Sequence, residues 1–230
     1  MRCLAIFVIV TVAAASGIVA AADGQRSPAI AQISSEEYGF SISLPPGWIA
    51  VPDAEMYVLR EEPLSTAGKQ RIIIPAAFQR GFKGAWFEWP YAFVQIQATG
   101  RNTFPTPSQF ESVVKSLTDG TSMAQARLAV KSTFTQSHTA DMESVLAGTK
   151  IYSLKVDAAA RRFSYVADEL APTGEKVRVR SASLFLSNGA VITLTCMSSR
   201  AEYGRNVKDF VALERTLHDL GHRMAGSHTP

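Results

Sequence analysis

The last third of this chain constrains its fold most. Four segments, 150–156, 162–168, 177–186 and 190–197, have strand character and are joined by short connections. Connections that short favour antiparallel neighbours, because a parallel crossover needs a dozen residues or more. Ser187-Asn188-Gly189 separates the last two segments, and Asn-Gly tolerates the positive φ values of a type I′ hairpin turn. Val177 and Val179 alternate with Arg178 and Arg180; Ile192, Leu194 and Cys196 alternate with Thr193 and Thr195. A period of two predicts a sheet with one buried face and one more polar face. A helix is predicted over 202–222, where Val207, Phe210, Leu213, Leu217 and Leu220 form an apolar stripe. That stripe must be buried on the strands before it. The fold class is therefore α+β: a largely antiparallel sheet with helices packed on it.

The first half of the chain supplies further elements. Phe40, Ile42 and Leu44 alternate with Gly39, Ser41 and Ser43, the pattern of a half-buried strand, and Pro45-Pro46-Gly47 ends it before Trp48. A second short strand is expected over 56–60, a turn over 65–69, and a buried strand over 72–74 stopped by Pro75. Residues 91–99 alternate again as a strand. Thr106-Pro107-Ser108 suits a helix start; Phe110, Val113, Val114 and Leu117 share one face, and Asp119-Gly120 ends it. A further helical stretch is expected over 123–134.

The strand running into Pro45-Pro46-Gly47-Trp48, together with the closing strand, Asn188-Gly189 turn, strand and terminal helix, resembles the PsbP-like family. That family includes extrinsic PsbP proteins of photosystems, Ran-binding Mog proteins and bacterial envelope proteins of the DcrB type. The resemblance implies an α/β/α sandwich and a role in binding other proteins. It implies no catalytic residue, and the segment 79–90 has no counterpart in it. Fold analogy alone says little about function.

The chain begins Met1-Arg2-Cys3, and no charged residue follows until Asp23. Residues 4–12 are the most apolar, and 13–22 are mostly small, ending in Ala20-Ala21-Ala22. A basic start, an apolar middle and a small-residue end make a secretory signal, with cleavage expected before Asp23. The expected organisation is a signal peptide over 1–22, a flexible leader over 23–37, one domain over 38–223 and a disordered tail over 224–230. The mature form is expected in the periplasm or the medium and does not span a membrane. Removing Arg2 leaves 22 basic against 20 acidic side chains, far from the basic footprint of a nucleic-acid binder. Cys3 leaves with the signal, so Cys196 has no internal disulfide partner and reads as a small buried hydrophobe.

The most unusual segment is Gly81-Phe82-Lys83-Gly84-Ala85-Trp86-Phe87-Glu88-Trp89-Pro90. Phe82, Trp86, Phe87 and Trp89 fall within eight residues, broken by glycines and closed by a proline. Aromatics on an irregular loop fold back onto the sheet, form a contact surface, or insert into a membrane with Lys83 at the headgroups, and these four are the candidate partner-binding residues.

Other constellations are weaker. His218 and His222 are four apart on the expected helix, which is metal-ligand spacing, but Asp219-Leu220-Gly221 between them lacks the Glu of the H-E-x-x-H motif and no third ligand can be named. No metal or cofactor is expected. Neither a G-x-S-x-G elbow nor a Cys–His arrangement offers a nucleophile, and His138-Thr139-Ala140-Asp141 reads as a polar loop. Arg161, Arg162, Arg178 and Arg180 form a basic strip on neighbouring strands that would suit an acidic partner, unless it is simply a solvated face. The chain thus reads as an exported non-enzymatic protein binding another protein or an envelope component. A small secreted hydrolase assembled from distant residues and a periplasmic small-ligand carrier are the alternatives.

Overall fold

The computed structural model describes residues 31–60, 72–98, 150–170, 175–186 and 190–221. The signal and tail segments, the expected helices at 107–118 and 123–134, the polar loop at His138, the 65–69 turn and the Asn188-Gly189 turn lie outside the described residues.

Ten strands and two helices are described: β1 (Gln32–Ser35), β2 (Phe40–Ser43), β3 (Trp48–Ala50), α1 (Tyr57–Arg60), β4 (Ile72–Arg80), β5 (Tyr91–Ala98), β6 (Lys150–Asp157), β7 (Arg162–Leu170), β8 (Lys176–Phe185), β9 (Ala190–Ser199), α2 (Tyr203–Thr216) and β10 (His218–Asp219). Seven strands form one sheet in the order β3-β4-β5-β9-β8-β7-β6, and β1, β2 and β10 form a second, smaller sheet. Every pairing is antiparallel.

Helix α2 lies between the two sheets because its stripe has two surfaces to satisfy. Phe210, Leu213 and Leu217 join Phe40 and Ile42 of β2 on one side and Ile192, Leu194 and Cys196 of β9 on the other in one core. The Pro45-Pro46-Gly47 turn delivers Trp48 into this core. Its ring meets Phe210 edge-on at 6.0 Å, and its Nε1 donates to Asp209 Oδ2 at 3.1 Å. A buried Trp needs such a partner for its one donor. Arg80 donates to Asn206 Oδ1 at 3.1 Å and Asn206 in turn to Ser198 Oγ at 3.1 Å, tying β4 and β9 to the same helix.

Five local expectations are corrected. Residues 56–60 are not a strand: a 3-10 turn (Asp53–Glu55) leads into α1, and the three-residue spacing of Met56 and Leu59 buries both while Tyr57 stays exposed. Pro75 does not stop β4; the register shifts between Ile73 and Ala76, so the missing amide falls at a bulge that needs no ladder donor. Gln32–Ser35, inside the expected leader, pairs with β2 as a strand. The terminal helix ends at Thr216 rather than near 222, because β10 turns away to pair with β2 and Leu220 N–H donates to Gly39 O at 2.9 Å. Arg162 caps that helix end, donating to the carbonyls of Glu214 at 3.0 Å and Leu217 at 2.6 Å. Finally, the apolar residues of β8 and β9 do not share one face: Val179 pairs with Met197 and Arg180 with Cys196, so Val177 and Val179 lie on the face of Thr193 and Thr195, opposite Ile192, Leu194 and Cys196. Both faces are buried, with Thr195 0% and Thr193 8% exposed and the Ser183 and Thr193 hydroxyls hydrogen-bonded at 2.9 Å.

Candidate functional site: the aromatic loop between β4 and β5

The hairpin connection 81–90 is anchored from beneath by one side chain. Gln79 is 1% exposed, and its amide serves three loop backbone groups. Nε2 donates to Gly81 O at 3.0 Å and Ala85 O at 3.0 Å, while Oε1 accepts from Glu88 N–H at 3.1 Å. Lys83 Nζ crosses the loop to Trp89 O at 3.0 Å, and Gly81 N–H donates to Gly47 O at 2.8 Å. The path needs left-handed backbone: φ is 67° at Gly81, 115° at Gly84 and 64° at Phe87. Glycine adopts this freely, but at Phe87 it is strained and persists only because neighbouring contacts hold it.

The four aromatics divide by position. Trp89 stacks on Tyr91 at 5.0 Å and donates from Nε1 to Glu175 Oε2 at 3.2 Å. Phe87 meets Tyr91 edge-on at 5.6 Å. With Trp86 they pack on a second core of Val51, Met56, Leu59, Phe93, Val179 and Met197, on the sheet face opposite α2. Phe82 points outward at 42% exposure and leans on half-buried Trp86 at 4.9 Å. The loop therefore both caps the sheet and presents an apolar tip. Periodicity missed Gln79. Its signal was a polar side chain inside a strand pattern immediately before a loop.

The basic strip is not assembled for a ligand. Arg180 pairs with Glu214, Arg178 makes a two-point bond to Asp168 at 2.5 and 2.9 Å, and Arg162 caps α2. Arg161 lies apart, in the turn before β7. The Arg178 guanidinium stacks between the rings of Tyr152 and Tyr203, at 5.3 and 5.5 Å. The bond from Arg178 holds the Asp168 carboxyl below the usual carboxylate range despite its desolvation, and Tyr152, whose hydroxyl donates to it at 2.8 Å, helps. Burial pushes the Cys196 thiol up, away from a nucleophilic thiolate. His218 stands in β10 rather than on the helix, and His222 lies outside the described residues. Among the described residues no group of three or more His, Cys, Asp or Glu is placed to hold a metal, and no helix is long and apolar enough to cross a membrane.

No family model and no curated protein matches this chain. Solved structures do. Cyanobacterial PsbP (CyanoP) from Synechocystis sp. PCC 6803 matches at 11% identity and TM-score 0.45, over 86% of this chain and 98% of that one. The Saccharomyces cerevisiae Ran-binding protein Mog1p matches at 10% identity and TM-score 0.43, over 83% and 95%. LpqN, involved in cell envelope biogenesis of Mycobacterium tuberculosis, matches at 10% identity and TM-score 0.40, over 77% and 81%. A PsbP protein and a Ran-binding Mog protein, members of the family that residues 38–48 and the closing unit resemble, are thus among the solved structures that this chain is similar to. At these identities and TM-scores no function is drawn from the likeness.

Proposed function

We propose that this is an exported, non-enzymatic envelope protein that binds another protein through the 81–90 loop. Phe82 and Trp86 make the contact, and Phe87 and Trp89 set the loop on the sheet. The supporting observation is the combination at one place of an exposed aromatic tip and a backbone held by the three Gln79 hydrogen bonds. A loop already fixed in shape loses little freedom on binding, so the burial of its aromatics goes into affinity rather than ordering. Aromatic anchors of this kind dominate interface energetics.

The test is Phe82→Ala combined with Trp86→Ala in the mature protein, assayed by recovery of a cross-linked partner from envelope extract and by thermal unfolding. Recovery is expected to fail; removing exposed Phe82 costs little stability, and the fall in unfolding temperature comes from Trp86, which is half-buried against the second core. Unchanged recovery of the same partner would refute the assignment.

A further inference from the structure

The two edges of the seven-stranded sheet are treated differently. At one edge, β6 carries exposed Lys155 and Asp157, its register shifts between Tyr152 and Lys155, and Ser153 has φ 35°. Charges and irregularity of this kind blunt an edge against pairing. At the other edge, β3 sits within the uncharged run Pro45-Pro46-Gly47-Trp48-Ile49-Ala50-Val51-Pro52. Ile49 is 37% exposed and Ala50 is exposed.

The hydrogen-bond alternation shows which groups this edge offers. Gly81 N–H donates to Gly47 O at 2.8 Å and Val51 N–H to Ala77 O at 2.9 Å, so the odd-numbered residues face β4. The carbonyl of Trp48 and both backbone groups of Ala50 then point away from the sheet; Trp48 N–H is already used, donating to Pro45 O at 3.1 Å. Among the described residues no group bonds to this outer side. Ile49 is opposite Gln79, so its side chain lies on the face that carries the aromatic loop.

We propose that the outer edge of β3 takes an extended segment of a partner protein as an added strand, with the segment's apolar side chains resting on Ile49, Phe82 and Trp86. This rests on the reading of the 81–90 loop as a recognition surface and names the form of its partner. Main-chain bonds to Trp48 and Ala50 supply direction, and the apolar tip supplies side-chain selectivity. The prolines Pro46 and Pro52 bound the strand and limit pairing to a short register.

The experiment pans phage-displayed random peptides on the mature protein and measures the selected peptides against three variants. Ala50→Pro removes an outward amide that the β3–β4 ladder does not use; the ladder is expected to persist at this edge position, which the unfolding temperature of the variant checks. Ile49→Lys places a charge at the exposed edge. Phe82→Ala with Trp86→Ala removes the tip. The expected result is that selected peptides shift the amide resonances of residues 48–51 and that both Ala50→Pro and Ile49→Lys weaken them by about tenfold or more. If Ala50→Pro binds as wild type while the double alanine variant does not, the edge inference fails and the loop assignment survives. If the double alanine variant binds as wild type while Ala50→Pro does not, the loop assignment fails instead. Absence of any selected peptide, or shifts confined to β6, overturns the inference. So does concentration-dependent dimerisation abolished by Ala50→Pro, which would make the occupant a second copy.

Discussion

Replacing Gln79 by Leu isolates the device that shapes the aromatic loop. The side chains are similar in volume, so little cavity forms, but Gly81 O, Ala85 O and Glu88 N–H each lose their partner at once. A hydrogen bond contributes about 0.5–1.5 kcal/mol net, and a stranded buried group costs about 1–3 kcal/mol. The loop backbone is partly open to water, so the lower range applies, and three lost bonds come to roughly 2–4 kcal/mol. For a chain of this size each kcal/mol moves the unfolding midpoint by about 2–4 °C, which gives a fall of roughly 4–16 °C. Thermal unfolding followed by circular dichroism reads the global effect, and limited proteolysis between Gly81 and Pro90 reads the local one. Partner binding is expected to weaken as well, although Gln79 is buried and touches no partner. A midpoint within about 1 °C of wild type with unchanged protease resistance would show that the loop holds its shape without Gln79.

N-terminal sequencing of exported protein is expected to begin at Asp23; a start at Met1 would sink the cleavage assignment. Trp89→Ala is expected to destabilise by about 2–4 kcal/mol in chemical unfolding, because it empties a stacked site on Tyr91, and a loss under about 0.5 kcal/mol would contradict the capping role. The Asp168 carboxyl is held below its unfolded value, so its contribution is present above the unfolded carboxylate pKa of about 4 and is lost as pH falls through the lower folded value. Asp168→Asn should therefore be less stable than wild type at neutral pH, with the gap closing in acid; a gap independent of pH would refute the linkage. Cys196 is 1% exposed with its thiol pushed up, so it should resist aqueous thiol reagents until the protein unfolds, and rapid labelling of the native protein would point to a reactive role.

Much of the large sheet was legible because its information is local. Alternation at Val177/Arg178 and Ile192/Thr193 is a two-residue signal that marked β8 and β9 as strands, but the register, which pairs Val179 with Met197 and Arg180 with Cys196, decided that the two apolar sets lie on opposite faces. The stripe of Phe210, Leu213 and Leu217 is a short-range helical signal, and those residues do enter the core. The aromatic segment also stood out by composition alone. What residue order left open was decided at long range. Helix α2 stops at Thr216 because Ser43, 173 positions earlier, both donates to and accepts from the Thr216 hydroxyl, while Arg162 takes up the helix carbonyls. The arginines that read as a strip are divided among Asp168, Glu214 and the end of α2, because the fold brings counter-charges to them that no local pattern reveals. The same holds for the loop. Its sequence specified four aromatics and two glycines, whereas only the packed sheet decided that Phe87 and Trp89 turn inward and Phe82 outward. Burial beneath the loop makes the Gln79 bonds hold one backbone path, and that path sets where each ring lies.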